Sequence, residues 1–213
     1  LVYMKKGKSN IPKKFQNADS SFIDRLVKEE KDGARTGFKV FPKKLNFYGK
    51  DPKEEVVLLT RLHWLAYLPD LLLVLLFLLL PILLSIISSV FNSSISPALY
   101  TGLFILGVLI ALNVLVTAIL KWFYSVIVIT DRRFVVVSLK SGFYHSYSEA
   151  QLKNIEDVTH TMAGFWGNIF DIGNLDVDTA GHEIDFRLKM VPKPRELQDI
   201  INDLVEMKKK GKI

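Results

Sequence analysis

Few side chains here have types or spacings suited to catalysis. The four histidines, His63, His145, His160 and His182, are far apart, and none forms a His-Glu-x-x-His pair or another ligand spacing. The chain has no cysteine, which excludes disulfides, thiolate metal sites and cysteine nucleophiles together. It also has no Gly-x-Ser-x-Gly elbow and no glycine-rich phosphate loop. Gly164-Phe165-Trp166-Gly167 matches a GxxG nucleic-acid loop in form. That loop belongs between helices, whereas this one is aromatic and falls between expected strands. The expectation is therefore no enzyme, no metal, no cofactor and no nucleic-acid partner.

Charge suggests binding instead. Lys5, Lys6, Lys8, Lys13 and Lys14 crowd the amino-terminal arm, where an anionic leaflet would attract them. Arg61, His63 and Trp64 lie together just before a long apolar run. His63 there would titrate near neutral pH, meet lipid phosphate, or serve as a polar anchor. Arg132 and Arg133 form a basic turn that either meets anionic headgroups or faces water. Asp176, Asp178, Glu183 and Asp185 make an acidic strand face that suits a cation, a basic partner or plain solvation.

The apolar run must position all of these. Between Asp70 and Lys121 no residue is charged. Asn92-Ser93-Ser94-Ile95-Ser96-Pro97 interrupts it and leaves Leu71–Phe91 and Ala98–Leu120, of 21 and 23 residues. Each would be about 31–35 Å long as a helix, against about 30 Å of bilayer hydrocarbon. A soluble helix needs a polar face, and neither segment has one. Two membrane spans are expected, with Trp64, Tyr67, Trp122 and Tyr124 in an interfacial belt and Tyr100 marking the outer surface. Pro81 is tolerated within a span. Asn113 is expected to hydrogen-bond across the hairpin or to a second copy of the chain.

Residues 1–70 carry 15 Lys/Arg against 9 Asp/Glu, residues 121–213 carry 13 of each, and the turn carries none. By the positive-inside rule both termini face the cytoplasm and only the turn crosses. The excess of +6 lies in the arm, so the pI near 9.3 implies no basic surface further on. No cleavable signal is expected, because the first apolar run starts late and is too long. Leu1 makes Met4 or an upstream residue the expected start.

Three segments follow from this: a basic arm over 1–60, a hairpin over 61–120 and a folded domain over 121–213. Within the arm, Phe22, Ile23, Leu26 and Val27 have helical spacing after a serine cap at Ser20-Ser21 and before Gly33. This short helix lies either on the inner leaflet, with Arg25, Lys28 and Lys31 near phosphates, or against the domain. After Lys121 the period becomes strand-like, beginning with Trp122–Thr130. The clearest hairpin is Asn174–Thr179 with His182–Leu188. A two-residue Ala180-Gly181 loop would pair Val177 with Ile184 and Leu175 with Phe186, setting Asp176 opposite Asp185 and Asp178 opposite Glu183. Leu197, Ile200, Ile201, Leu204 and Met207 then mark an amphipathic closing helix after Pro192 and Pro194.

An ordered set of motifs carries a resemblance. It runs Trp122-x-Tyr124 through Thr130-Asp131-Arg132-Arg133-Phe134, Ile155-x-Asp157-Val158, Gly164–Gly173, Asp178–Gly181 and Pro192-x-Pro194. Glu55, Arg61, His63 and Trp64 precede the hairpin in the matching order. Residues 54–206 thus resemble the bacterial pleckstrin-homology-like domain of YdbS/YdbT-type membrane proteins. The resemblance implies a two-span membrane hairpin followed by a PH-like α+β domain, a curved antiparallel sheet or barrel of about seven strands closed by a carboxyl-terminal helix. It implies no catalytic residues. Eukaryotic relatives hold phosphoinositides with a basic loop between the first two strands, and Asp131-Arg132 is too short for that.

The expected function is a membrane-anchored adaptor at the cytoplasmic face of the inner membrane, binding a protein or an anionic headgroup, with a homo-oligomer allowed. The alternative is a structural subunit of a membrane complex that associates through its hairpin. Residues 121–213 are expected to fold alone.

Overall fold

The computed structural model describes residues 11–15, 18–42, 45, 47, 49–90, 96–139, 145–180 and 186–213. The chain divides into two compact units: one of residues up to His63 and from Ser125 onward, the other Trp64–Tyr124.

Among the described residues, the first unit has eight strands in two sheets. The five-stranded sheet runs β1 (Lys39–Val40), β2 (Val56–Thr60), β3 (Val126–Thr130), β4 (Arg133–Leu139) and β5 (His145–Gln151), and the three-stranded sheet runs β6 (Ile155–Met162), β7 (Ile172–Thr179) and β8 (Phe186–Pro192). All pairings are antiparallel. The expected single curved sheet or barrel of about seven strands is thus replaced by two separate sheets, and two of their strands, β1 and β2, come from upstream of the hairpin.

The decisive pairing is β2 with β3: Val56 faces Thr130, Leu59 faces Val128 and Thr60 faces Ile127. These neighbouring strands flank the apolar hairpin in the sequence. The hairpin is an insertion within the folded unit, not a segment preceding it.

Alternation divides this sheet between two apolar layers. Ile127, Ile129 and Phe134 join the main core, whereas Val128 and Val135 form a second cluster with Val56 and Leu59, covered by Leu45 and Phe47. A bulge between Val56 and Leu58 lets consecutive Val57 and Leu58 both serve the main core.

The arm belongs to that core. Helix α1 (Ser20–Thr36) buries Phe22, Ile23 and Leu26, joined by Phe15 and Phe38. Of the two placements open to this helix, packing on the domain is the one found. Arg25 pairs with Asp203 at 2.9 Å rather than extending toward phosphate. Asp19, not Ser20, caps the helix, accepting from the Ser21 amide at 3.3 Å. The helix passes through Gly33 and stops before Gly37, whose φ of 73° suits the left-handed position after a helix end. A domain of residues 121–213 alone would lack these core residues.

Helix α4 (Gly164–Phe170) links β6 to β7, and α5 (Pro194–Lys209) closes the core with Leu197, Ile200, Ile201 and Leu204 as expected. The β7–β8 register differs from the two-residue-loop expectation. Val177 faces Phe186 and Leu175 faces Leu188, so the strands are offset by two positions. A slip of two returns each side chain to the same face, so Leu175, Val177 and Phe186 are still buried.

In the second unit, a 3-10 turn at Trp64–Tyr67 leads into α2 (Leu68–Val90), followed by α3 (Pro97–Tyr124). The first turn of the expected strand from Trp122 is therefore the last turn of α3. Both helices are long and apolar enough to cross a membrane. They pack through Pro81, Gly107, Ala111 and Ala118. A Cβ on Gly107 would lie 2.5 Å from the Phe77 carbonyl oxygen, so only glycine permits this approach. Asn113 lies on an exposed face of α3. Asp70 and Lys121, which bracket the charge-free run, pair at 3.5 Å.

Candidate functional site

The turn between β3 and β4 places Thr130, Asp131, Arg132 and Arg133 at one edge of the first unit. The Thr130 hydroxyl accepts from the amides of Arg132 (3.1 Å) and Arg133 (2.9 Å), which fixes the turn. It donates to Glu54 Oε1 at 2.7 Å. Asp131 is buried, accepts from the Glu55 amide at 2.9 Å and pairs with Lys14.

Arg133 is the centre of the network. Its Nε and Nη2 meet the two Glu54 carboxylate oxygens at 2.9 and 2.8 Å, and Nη1 meets Glu149 at 2.6 Å. It also donates to the Gly49 carbonyl and lies over the Phe47 ring at 5.8 Å. Burial pushes the Glu54 carboxyl upward in pKa. Hydrogen bonds from Arg133, Thr130 and the Asp51 amide outweigh it and hold Glu54 below its usual range. Arg133 is driven upward, chiefly by its hydrogen bonds to Glu54. The pair meets the requirement that a buried carboxylate be matched by charge and hydrogen bonds.

A cleft of about 590 Å³ opens beside this network, with Asp51, Glu54, Arg132, Arg133, Glu149 and Lys208 in its wall. Arg132 is bound to Asp51 at 2.6 Å. Arg132 and Arg133, expected to meet either anionic headgroups or water, are paired with carboxylates within the fold, because Asp51 and Glu54 reach the turn from the segment leading into β2. Among the described residues, no three His, Asp or Glu side chains converge to hold a metal ion.

The other sequence-derived candidates are dispersed. Lys5, Lys6 and Lys8 lie outside the described residues, as do Glu183 and Asp185. Lys13 begins the 3-10 turn Lys13–Phe15, and Lys14 reaches Asp131. Asp176 faces Arg187 rather than Asp185, and its other neighbour is Thr159. Asp178 faces Asp157 on β6. The offset of two brings Arg187 opposite Asp176 in place of the expected Asp185, whereas the expected Asp178–Glu183 pair falls on residues outside those described.

Arg61 and His63 are half-buried in the first unit, and Trp64 begins the second. The His63 amide donates to the Met190 carbonyl at 2.9 Å, and its ring lies 6.3 Å from Phe170. Burial lowers the His63 pKa.

Next to Phe170 lies an exposed aromatic face that the sequence does not announce. Phe165, Trp166, Ile169 and Phe170 of α4 are 73%, 62%, 55% and 42% exposed. Trp166 and Phe170 stack at 6.1 Å, with Phe165 edge-on to Trp166 at 5.6 Å. The segment with Gly164 and Gly167, expected between strands, is a helix. Positions i, i+1, i+4 and i+5 share one helix face, and that spacing was the available signal.

The family model of the bacterial PH domain matches residues 57–205, from β2 through the inserted hairpin into α5. The chain belongs to the bacterial PH domain family. No curated protein and no solved structure matches it significantly. In this bacterial PH domain the match begins upstream of the hairpin, in agreement with a fold whose β2 and β3 lie on either side of it. Family membership makes the first unit a PH-like module of the binding or adaptor kind.

Proposed function

We propose that this bacterial PH domain is a binding module tethered to the cytoplasmic face of a membrane by α2 and α3, and that its ligand is a protein. The observation that carries the reading is the antiparallel β2–β3 pairing across the insertion. Adjacent antiparallel strands bring the end of one beside the start of the next. The chain leaves the folded unit after His63 and re-enters at Ser125, so one module is held by two covalent links. The outward leucines and isoleucines of α2 and α3 are exposed, as helices in lipid require. The cationic excess before the hairpin favours the cytoplasmic side.

The choice of a protein over an anionic headgroup rests on the Arg132–Asp51 and Arg133–Glu54–Glu149 pairings. A phosphate entering the cleft would have to displace carboxylates already in place, one of them buried.

The test compares the whole chain with a variant in which residues 64–124 are replaced by a short Gly/Ser linker. The whole chain should stay in the membrane pellet after alkaline carbonate extraction, while the variant should be soluble and unfold cooperatively. Extraction of the whole chain by carbonate would refute the tether. An unfolded linker variant would refute the insertion.

A further inference from the structure

We propose that the exposed face of α4 inserts into the interfacial zone of the bilayer that holds the hairpin. This deepens the reading above and rests on its membrane tether.

The face is built for contact. Four of the seven residues of α4 are large, apolar and exposed, and the helix carries no charge. Contiguous exposed patches of this kind mark interaction sites. The helix cannot roll to hide them. Gly167, on its inner side, is packed so closely that a Cβ would sit 2.6 Å from the Ile172 carbonyl oxygen. Its end is locked as well: Asp171 adopts the left-handed conformation at φ 53°, its amide donates to the Gly167 carbonyl, and its own carbonyl accepts from the Lys193 amide at 2.8 Å.

Lipid is the favoured occupant because of position and chemistry. Phe170 neighbours His63, the last residue of the folded unit before the chain enters the apolar helices. The patch thus stands beside a point where the chain departs for the membrane. A bilayer reached by a covalent tether is met as an intramolecular partner, at high effective concentration. Tryptophan and phenylalanine on an uncharged helix suit the headgroup boundary, where aromatic rings accumulate.

The experiment uses the full chain in phosphatidylcholine nanodiscs, with Trp64→Phe and Trp122→Phe leaving Trp166 as sole tryptophan. Lipids brominated in the acyl chain should quench Trp166, and aqueous iodide should not. As a second probe in the unaltered tryptophan background, Ile169→Cys labelled with an environment-sensitive fluorophore should shift to the blue on reconstitution, the natural chain having no competing cysteine. Quenching of Trp166 by iodide, in a chain that carbonate fails to extract, would overturn the docking and leave the tether intact. Protection from both quenchers would mean a second copy or another protein covers the patch, and would also overturn it. Carbonate extraction of the chain would remove the tether and this inference together.

Discussion

Thr60 stands opposite Ile127 in adjacent antiparallel strands, although both long apolar helices lie between them in the chain. That pairing makes the hairpin a loop insertion in a PH-like fold and ties the folding of the module to both flanks of the hairpin.

The Arg133–Glu54 pair gives a pH-dependent prediction. Glu54 is held below its usual pKa, so it binds fewer protons folded than unfolded in the acid range. Its contribution is full above about pH 4.3 and is lost as pH falls through the lowered folded value. Arg133→Met should destabilise the chain by about 3 kcal/mol at neutral pH, since it strands a buried carboxylate. Burial is then opposed only by the hydrogen bonds from Thr130 and the Asp51 amide, so the Glu54 pKa rises relative to the wild-type chain and acidification should cost the variant less stability than it costs the wild type. Denaturation of the detergent-solubilised chain at several pH values checks this. A variant with the wild-type pH profile would contradict the network.

His63 gives a second pH window. Its pKa is lowered by burial, so the folded state binds fewer protons than the unfolded one. Its contribution is present above about pH 6.5 and is lost as pH falls through the lowered value. His63→Gln should flatten the thermal-stability profile between pH 7 and pH 5.5, leaving the steeper acid loss due to carboxylates. An unchanged slope would show that this imidazole titrates freely.

The arm is tested through Leu26, which is fully buried beside Phe15 and Phe22. Leu26→Ala should cost about 2–4 kcal/mol of global stability. A freely hanging arm would tolerate it, so an unchanged denaturation midpoint would remove α1 from the core.

The hairpin and α5 were legible because their signals are local: a charge-free run and a helical repeat over a single segment. Strand β2 was not. All five residues from Val56 to Thr60 are buried, so no alternation distinguishes them from the approach to a span. Their partner strand also lies beyond the hairpin. The Asp131-Arg132 turn was legible, but its carboxylate partners Asp51 and Glu54 approach from far away in sequence. In β7–β8 the buried face was legible and the register was not, since a slip of two leaves the face unchanged.

The most direct test of the tethered module is labelling of single cysteines at positions 10, 94 and 210 in intact cells with a membrane-impermeant thiol reagent. The chain supplies no background cysteine. The account predicts that position 94 reacts, while 10 and 210 react only after the membrane is permeabilised. Labelling at either terminus in sealed cells, or protection at 94 before permeabilisation and reaction after it, would contradict it.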